Sequence, residues 1–135
     1  TKEPAYRKAL DITEEFAAAA RKKGVENAQL SMSVVVVRSE FCAAHPEKVA
    51  AFMQALEASI AFANENVAEA AQEIAEQGII ASAAVAEKAL PSCSLVFISG
   101  EEMQAQAAPL YDILFAANPA SVGGAAPGDD FYYGA

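Results

Sequence analysis

The sequence predicts an α/β chain that is predominantly helical, with about five helices and one or two short strands. Three observations predict it. Of its 135 residues, 33 are alanine, the residue with the best intrinsic helix propensity. Large apolar residues recur at helical spacing over most of the chain. Only 29–38, with four consecutive valines, and 94–98 read as extended. Apolar residues make up 54% of the chain, but without alanine and the two cysteines only 38 large ones remain. A thin, close-packed core in one compact domain, residues 1–135, is therefore expected. The composition excludes a disulfide-rich miniprotein, a collagenous chain and a disordered tail. No apolar run approaches the roughly 18 residues of a membrane span.

Pro4 to Lys23 reads as an amphipathic helix, with Tyr6, Ala9, Leu10, Thr13, Phe16, Ala17 and Ala20 on one face and Gly24 as its C-terminal stop. Gln29 to Arg38 follows as a strand whose continuous apolar run suits burial on both faces. Pro46 then opens a helix at its first position, where a missing N–H costs nothing. Val49, Phe52, Met53, Leu56, Ile60, Ala63 and Val67 form its apolar stripe. Asn66, with Glu69 three residues on, reads as the cap of a further helix through Glu76, ended by Gly78. Ala81 to Ala89 is a short helix stopped before Pro91, and Ser94 to Ile98 is the second strand-like piece. Ser99 and Glu102 have capping-box spacing for a helix to Ala117, which Pro109 is expected to kink or split. Residues 118–135 form an extended C-terminal tail whose Phe131, Tyr132 and Tyr133 are expected to dock along a surface.

The net charge of −9 is uneven. Residues 1–38 carry a net +2 and residues 39–135 a net −11. No basic face is available to displace the counterions of a nucleic acid, so nucleic-acid partners are not expected. Cys42 and Cys93 neither demand nor forbid an oxidising compartment. His45 is the only histidine, and a zinc site would have to gather it with distant cysteines and carboxylates, so no metal is expected. Cys42 and His45 have the spacing of a nucleophile and base, but both fall at a strand-to-helix junction and are better explained by it. No phosphate loop, dinucleotide fingerprint or nucleophile elbow occurs. Catalytic residues and cofactors are accordingly expected to be none, and the protein is not expected to be an enzyme.

From Gln29 onward the order of motifs is specific. A valine strand is followed by Arg38-Ser-Glu-Phe41, then His45-Pro-Glu-Lys-Val49 leading into a long helix. Ala89-Leu-Pro-Ser-Cys-Ser-Leu-Val-Phe-Ile98 comes next. The ending runs Asn118-Pro-Ala-Ser-Val-Gly-Gly124 and then Pro127-Gly-Asp-Asp-Phe-Tyr-Tyr133. This resembles the C-terminal part of the solute-binding proteins of nitrate/sulfonate/taurine-type ABC importers. Their "Phe-x-x-x-x-Pro-Glu-x-Val" helix start is matched from Phe41 to Val49.

The resemblance implies a fragment of a two-lobed, periplasmic-binding-protein-like fold. It also implies an extracytoplasmic location, with a lipid anchor frequent in the full-length family, and delivery of a small solute to an importer permease. The chain covers less than half of the family's usual length, and its opening at Thr1 without methionine fits a processed or excised piece. The missing half would supply most of the first lobe, so a complete pocket is not expected in this chain alone. Ser31 and Ser33 alternate into the start of the lobe-returning strand as candidate ligand-binding donors to an anion, or else as solvent-facing strand positions. The rival reading is an autonomous helical protein-interaction domain. Unpaired strand edges further predict a homo-oligomer for the chain as a fragment.

Overall fold

The computed structural model describes residues 8–26 and 28–134. Among them are six α-helices: α1 (Ile12–Lys22), α2 (Ser39–Ala44), α3 (Pro46–Glu65), α4 (Val67–Glu76), α5 (Ala83–Ala89) and α6 (Gly100–Ala117). Short 3-10 turns cover Leu90–Ser92, Pro119–Val122 and Asp129–Phe131. The chain gathers into two compact units, one of Thr1–Val34 with Ile98–Ala135 and one of Val35–Phe97.

The second unit is built on α3, α4 and α5. Pro46 does occupy the first turn of α3, and Val49 is the residue of that helix that becomes buried. Met53, Leu56, Ile60 and Ala63 follow it half-buried on the expected stripe, whereas Phe52 is exposed. The break between α3 and α4 falls at Asn66, as expected, but the side chain acts in the opposite direction. Its Nδ2 donates to the Phe62 carbonyl at 3.3 Å, beside the backbone N–H at 2.8 Å, so it finishes α3 rather than capping α4. Gly78, at φ +71°, then ends α4. Its N–H bonds the Ala75 carbonyl and the Ile79 N–H reaches back to Ile74, the paired closure of a Schellman motif. Gly24 closes α1 in the same way, with its N–H on Arg21 and the Val25 N–H on Ala20.

Ala70, Ala71 and Ala86 form the buried centre of this unit, with Leu90 beside them. Methyl groups at the contact let α4 and α5 approach closely, and Phe62, Val67, Ile74, Ile80 and Leu95 enclose the cluster. The thin alanine core expected from composition is therefore local to this helix pair. α2 was not anticipated. It is a six-residue helix with no side-chain cap, too short for periodicity to reveal.

In the first unit, α1 starts later than the Pro4 to Lys23 pattern implied. Asp11 accepts from the N–H groups of Thr13 (3.1 Å) and Glu14 (3.3 Å), fixing the helix start there. Ala9 and Leu10 of the expected face lie before it, outside the helix, and Tyr6 falls outside the described residues. α6 runs through Pro109 without being split. Proline leaves the Ala105 carbonyl without its N–H partner, and Ala105 is exposed, so water can supply the missing donor. Asn118 closes this helix and opens the next turn, its side chain accepting from the Ala120 N–H at 3.2 Å.

The expected strands require correction. Among the described residues there is no strand, and the α/β expectation gives way to a helical chain. Among the described residues, 29–38 form neither a helix nor a ladder, and Val34 to Val37 are exposed rather than covered on both faces. Valine propensity favours extended backbone, but a strand is completed only by a partner's ladder. Ser94 to Ile98 forms no strand either: Ser94 stands at φ +51°, outside the extended region, and Asn64 Nδ2 of α3 donates to the Leu95 carbonyl at 3.0 Å.

Candidate functional site

Ser31 and Ser33 lie two residues apart on a segment that forms no helix or strand. Both are exposed. No buried polar or charged side chain occurs among the described residues, so nothing converges with these serines to enclose an anion.

Within the second unit a shallow cleft of about 280 Å³ lies between α3 and α4. Ala70, Ile74, Leu90 and Leu95 line it, with Ser59, Glu73 and Gln77 as its polar groups. That volume falls just below the usual range for a small-molecule site, and it is open to solvent on one side. Sequence reasoning identified the apolar stripe of α3 but not this cleft. Its walls come from two helices and from Ile79, Leu90 and Leu95, and that juxtaposition has no signature in linear spacing.

Cys42 and His45 occupy the junction of α2 and α3. The His45 ring lies 5.0 Å from that of Phe41, tilted by 56°, and its Nδ1 is 3.9 Å from Glu47 Oε1. The imidazole thus packs at the elbow, beside a carboxylate at the positive end of α3. Cys42 is half-buried and Cys93 exposed, and both are free thiols. The Cys93 thiol donates to the Ala89 carbonyl at 3.4 Å. Among the described residues no group of three His, Cys, Asp or Glu side chains is arranged to hold a metal ion. Nor does any described helix have the length and apolarity to cross a membrane.

The first unit contains an aromatic cluster at the end of the chain. Phe131 stands edge-on to Tyr132 at 5.3 Å and to Tyr111 at 5.9 Å, while Tyr111 and Tyr132 are 6.5 Å apart. Gln104 Nε2 donates to Asp129 Oδ1 at 3.0 Å, tying the same tail to α6. Burial pushes the Tyr132 phenol above its ordinary pKa, and Tyr111, Asp112 and Asp129 add to the shift. At the other end of the unit, the Lys8 and Asp11 side chains form an exposed ion pair. Their mutual hydrogen bond raises the lysine and lowers the carboxylate.

No protein-family model, no curated protein and no solved structure matches this chain.

Proposed function

We propose that this chain is the C-terminal portion of an extracytoplasmic solute-binding component of an ABC importer of the nitrate/sulfonate/taurine type. In this reading it is a binding module without chemistry of its own. Its fold is part of a two-lobed, periplasmic-binding-protein-like architecture. Its partners are a small anionic or organic solute and the importer's permease.

The observation that carries the reading is the agreement between the Phe41 to Val49 motif and the helix it begins. Pro46 stands in the first turn of a 20-residue helix, and Val49 is that helix's buried residue. Phe41 packs on His45 at the elbow before it. Each motif position thus has a physical task that explains its residue type. The exposed valine run before the motif supports the same reading, because such a segment suits a strand that returns to a sheet in the other lobe. Ser31 and Ser33, at the start of that run, are the proposed hydrogen-bond donors to an anionic group of the solute.

The test is thermal denaturation of the product of the complete reading frame with nitrate, taurine, short alkanesulfonates and pyrimidine precursors. A ligand at about a hundred times its Kd stabilises the folded protein by about 2.7 kcal/mol, enough to raise Tm by several degrees. One class is expected to do so, and replacing both serines by alanine is expected to weaken its binding. If no compound in the panel moves Tm, the solute-binding reading fails.

A further inference from the structure

The cleft of the second unit combines an apolar interior with a charge that no neighbour neutralises. Its two sides are ridges at helical spacing, Ser59 with Ala63 on α3, and Ala70, Glu73, Ile74 and Gln77 on α4. Buried Leu90 and half-buried Leu95 complete the apolar part. Asn64 ties the Leu95 carbonyl to α3, and the turn at Gly78 brings Ile79 to the cleft. Glu73 is the one charged residue in the lining, and it forms no ion pair among the described residues. The side chains of Ser59, Glu73 and Gln77 are exposed and make no hydrogen bond among the described residues.

We propose that this cleft binds a small organic amine, with its ammonium at Glu73 and its apolar body against Ile74, Leu90 and Leu95. Each part of such a ligand answers a feature of the site. A primary ammonium donates three hydrogen bonds, and the Glu73 carboxylate, the Gln77 amide oxygen and the Ser59 hydroxyl oxygen are acceptors on the lining. The apolar body removes water from the aliphatic side chains between them. Size sets the limit. An apolar cavity of about 150 Å³ holds benzene, so a cleft of about 280 Å³ admits one ring with a two-carbon arm. Anions are disfavoured, because no basic residue lines the cleft and residues 35–97 carry eight carboxylates against three basic side chains. The inference does not rest on the solute-binding reading, whose candidate donors, Ser31 and Ser33, belong to the first unit.

Methyl NMR of the chain titrated with phenethylamine tests it, with phenethyl alcohol as the uncharged counterpart and hydrocinnamate as the anionic one. The amine is expected to shift the methyl signals of Ile74, Leu90 and Leu95 saturably, with a Kd of about 1 mM. The alcohol is expected to bind about threefold more weakly, the worth of one exposed ion pair, and hydrocinnamate more weakly still. Glu73→Gln preserves side-chain shape and helix propensity. It is expected to lower amine affinity about threefold and to leave alcohol binding unchanged. Glu87→Gln, on α5 and outside the cleft, makes the same change in net charge and is expected to leave both ligands unaffected. The proposal is overturned if the amine leaves these methyl signals in place, or if the alcohol or hydrocinnamate binds as tightly as the amine. It is equally overturned if Glu73→Gln binds the amine no more weakly than Glu87→Gln.

Discussion

Tyr132 lies three residues from the end of the chain, yet among the described residues it is the one large aromatic side chain buried in the first unit, at 8% exposure. Its ring meets Phe131 and Tyr111 edge-on, the arrangement that aligns the positive rim of one ring with the negative face of another. Tyr132→Ala is expected to lower the stability of this unit by about 3 kcal/mol. Tyr132→Phe keeps the ring and should cost less than about 1 kcal/mol. Urea denaturation of both variants, followed by far-ultraviolet circular dichroism, checks the contrast; equal losses would contradict it. The raised phenol pKa fixes the sign of the pH response. The folded state holds the proton more tightly than the unfolded chain, so this contribution is complete below the ordinary tyrosine value of about 10. It is lost as pH rises through the folded value. The composition suggested a docking tail, but Tyr111 as its receptor was not legible, because the two lie more than twenty residues apart.

Among the elements, what was legible depended on whether the cause was local. Pro46, Gly24 and Gly78 act on the backbone where they stand, so one helix start and two helix ends were readable directly. Asn66 marked the correct break for the wrong reason, since the same residue type serves the helix before it as well as the helix after it. The strands failed because a strand needs a ladder partner and valine propensity supplies only the shape. The candidate serines stand on the same segment, and their proposed role depends on the sheet the strand was expected to join. Pro109 does not split its helix. α6 continues through it because the orphaned carbonyl lies on an exposed residue. Pro109→Ala is therefore expected to restore one helical hydrogen bond and stabilise α6, by up to about 3 kcal/mol. Slower amide exchange at the residues flanking position 109 would register the gain; unchanged exchange there would show that the proline costs the helix nothing.

At the scale of the whole molecule, the charge distribution and the exposed valine run act on the same property. A net charge of −9 opposes the approach of copies at neutral pH, and the sequence pI is about 4.5. As carboxylates protonate on acidification, that repulsion fades while the apolar strip of Met32, Val34 and Val36 is unchanged. Light scattering is therefore expected to rise as pH falls below 6 and to peak near the isoelectric point. A maximum above pH 6 would show that charge does not govern association. The core offers little to offset such losses, because alanine buries little area and the cluster at α4 and α5 consists of three alanines and one leucine.

The two units also differ in what light and chemistry can see. Val35–Phe97 contains no tyrosine and no tryptophan, yet it holds both cysteines of the chain. The tyrosine emission of the protein therefore comes wholly from outside that unit, with Tyr111, Tyr132 and Tyr133 in the other. Thiol reagents report on the opposite unit, where Cys93 is exposed and Cys42 is half-buried. Fluorescence and labelling kinetics can thus follow the melting of each unit separately in the unmodified chain, without an engineered probe in either.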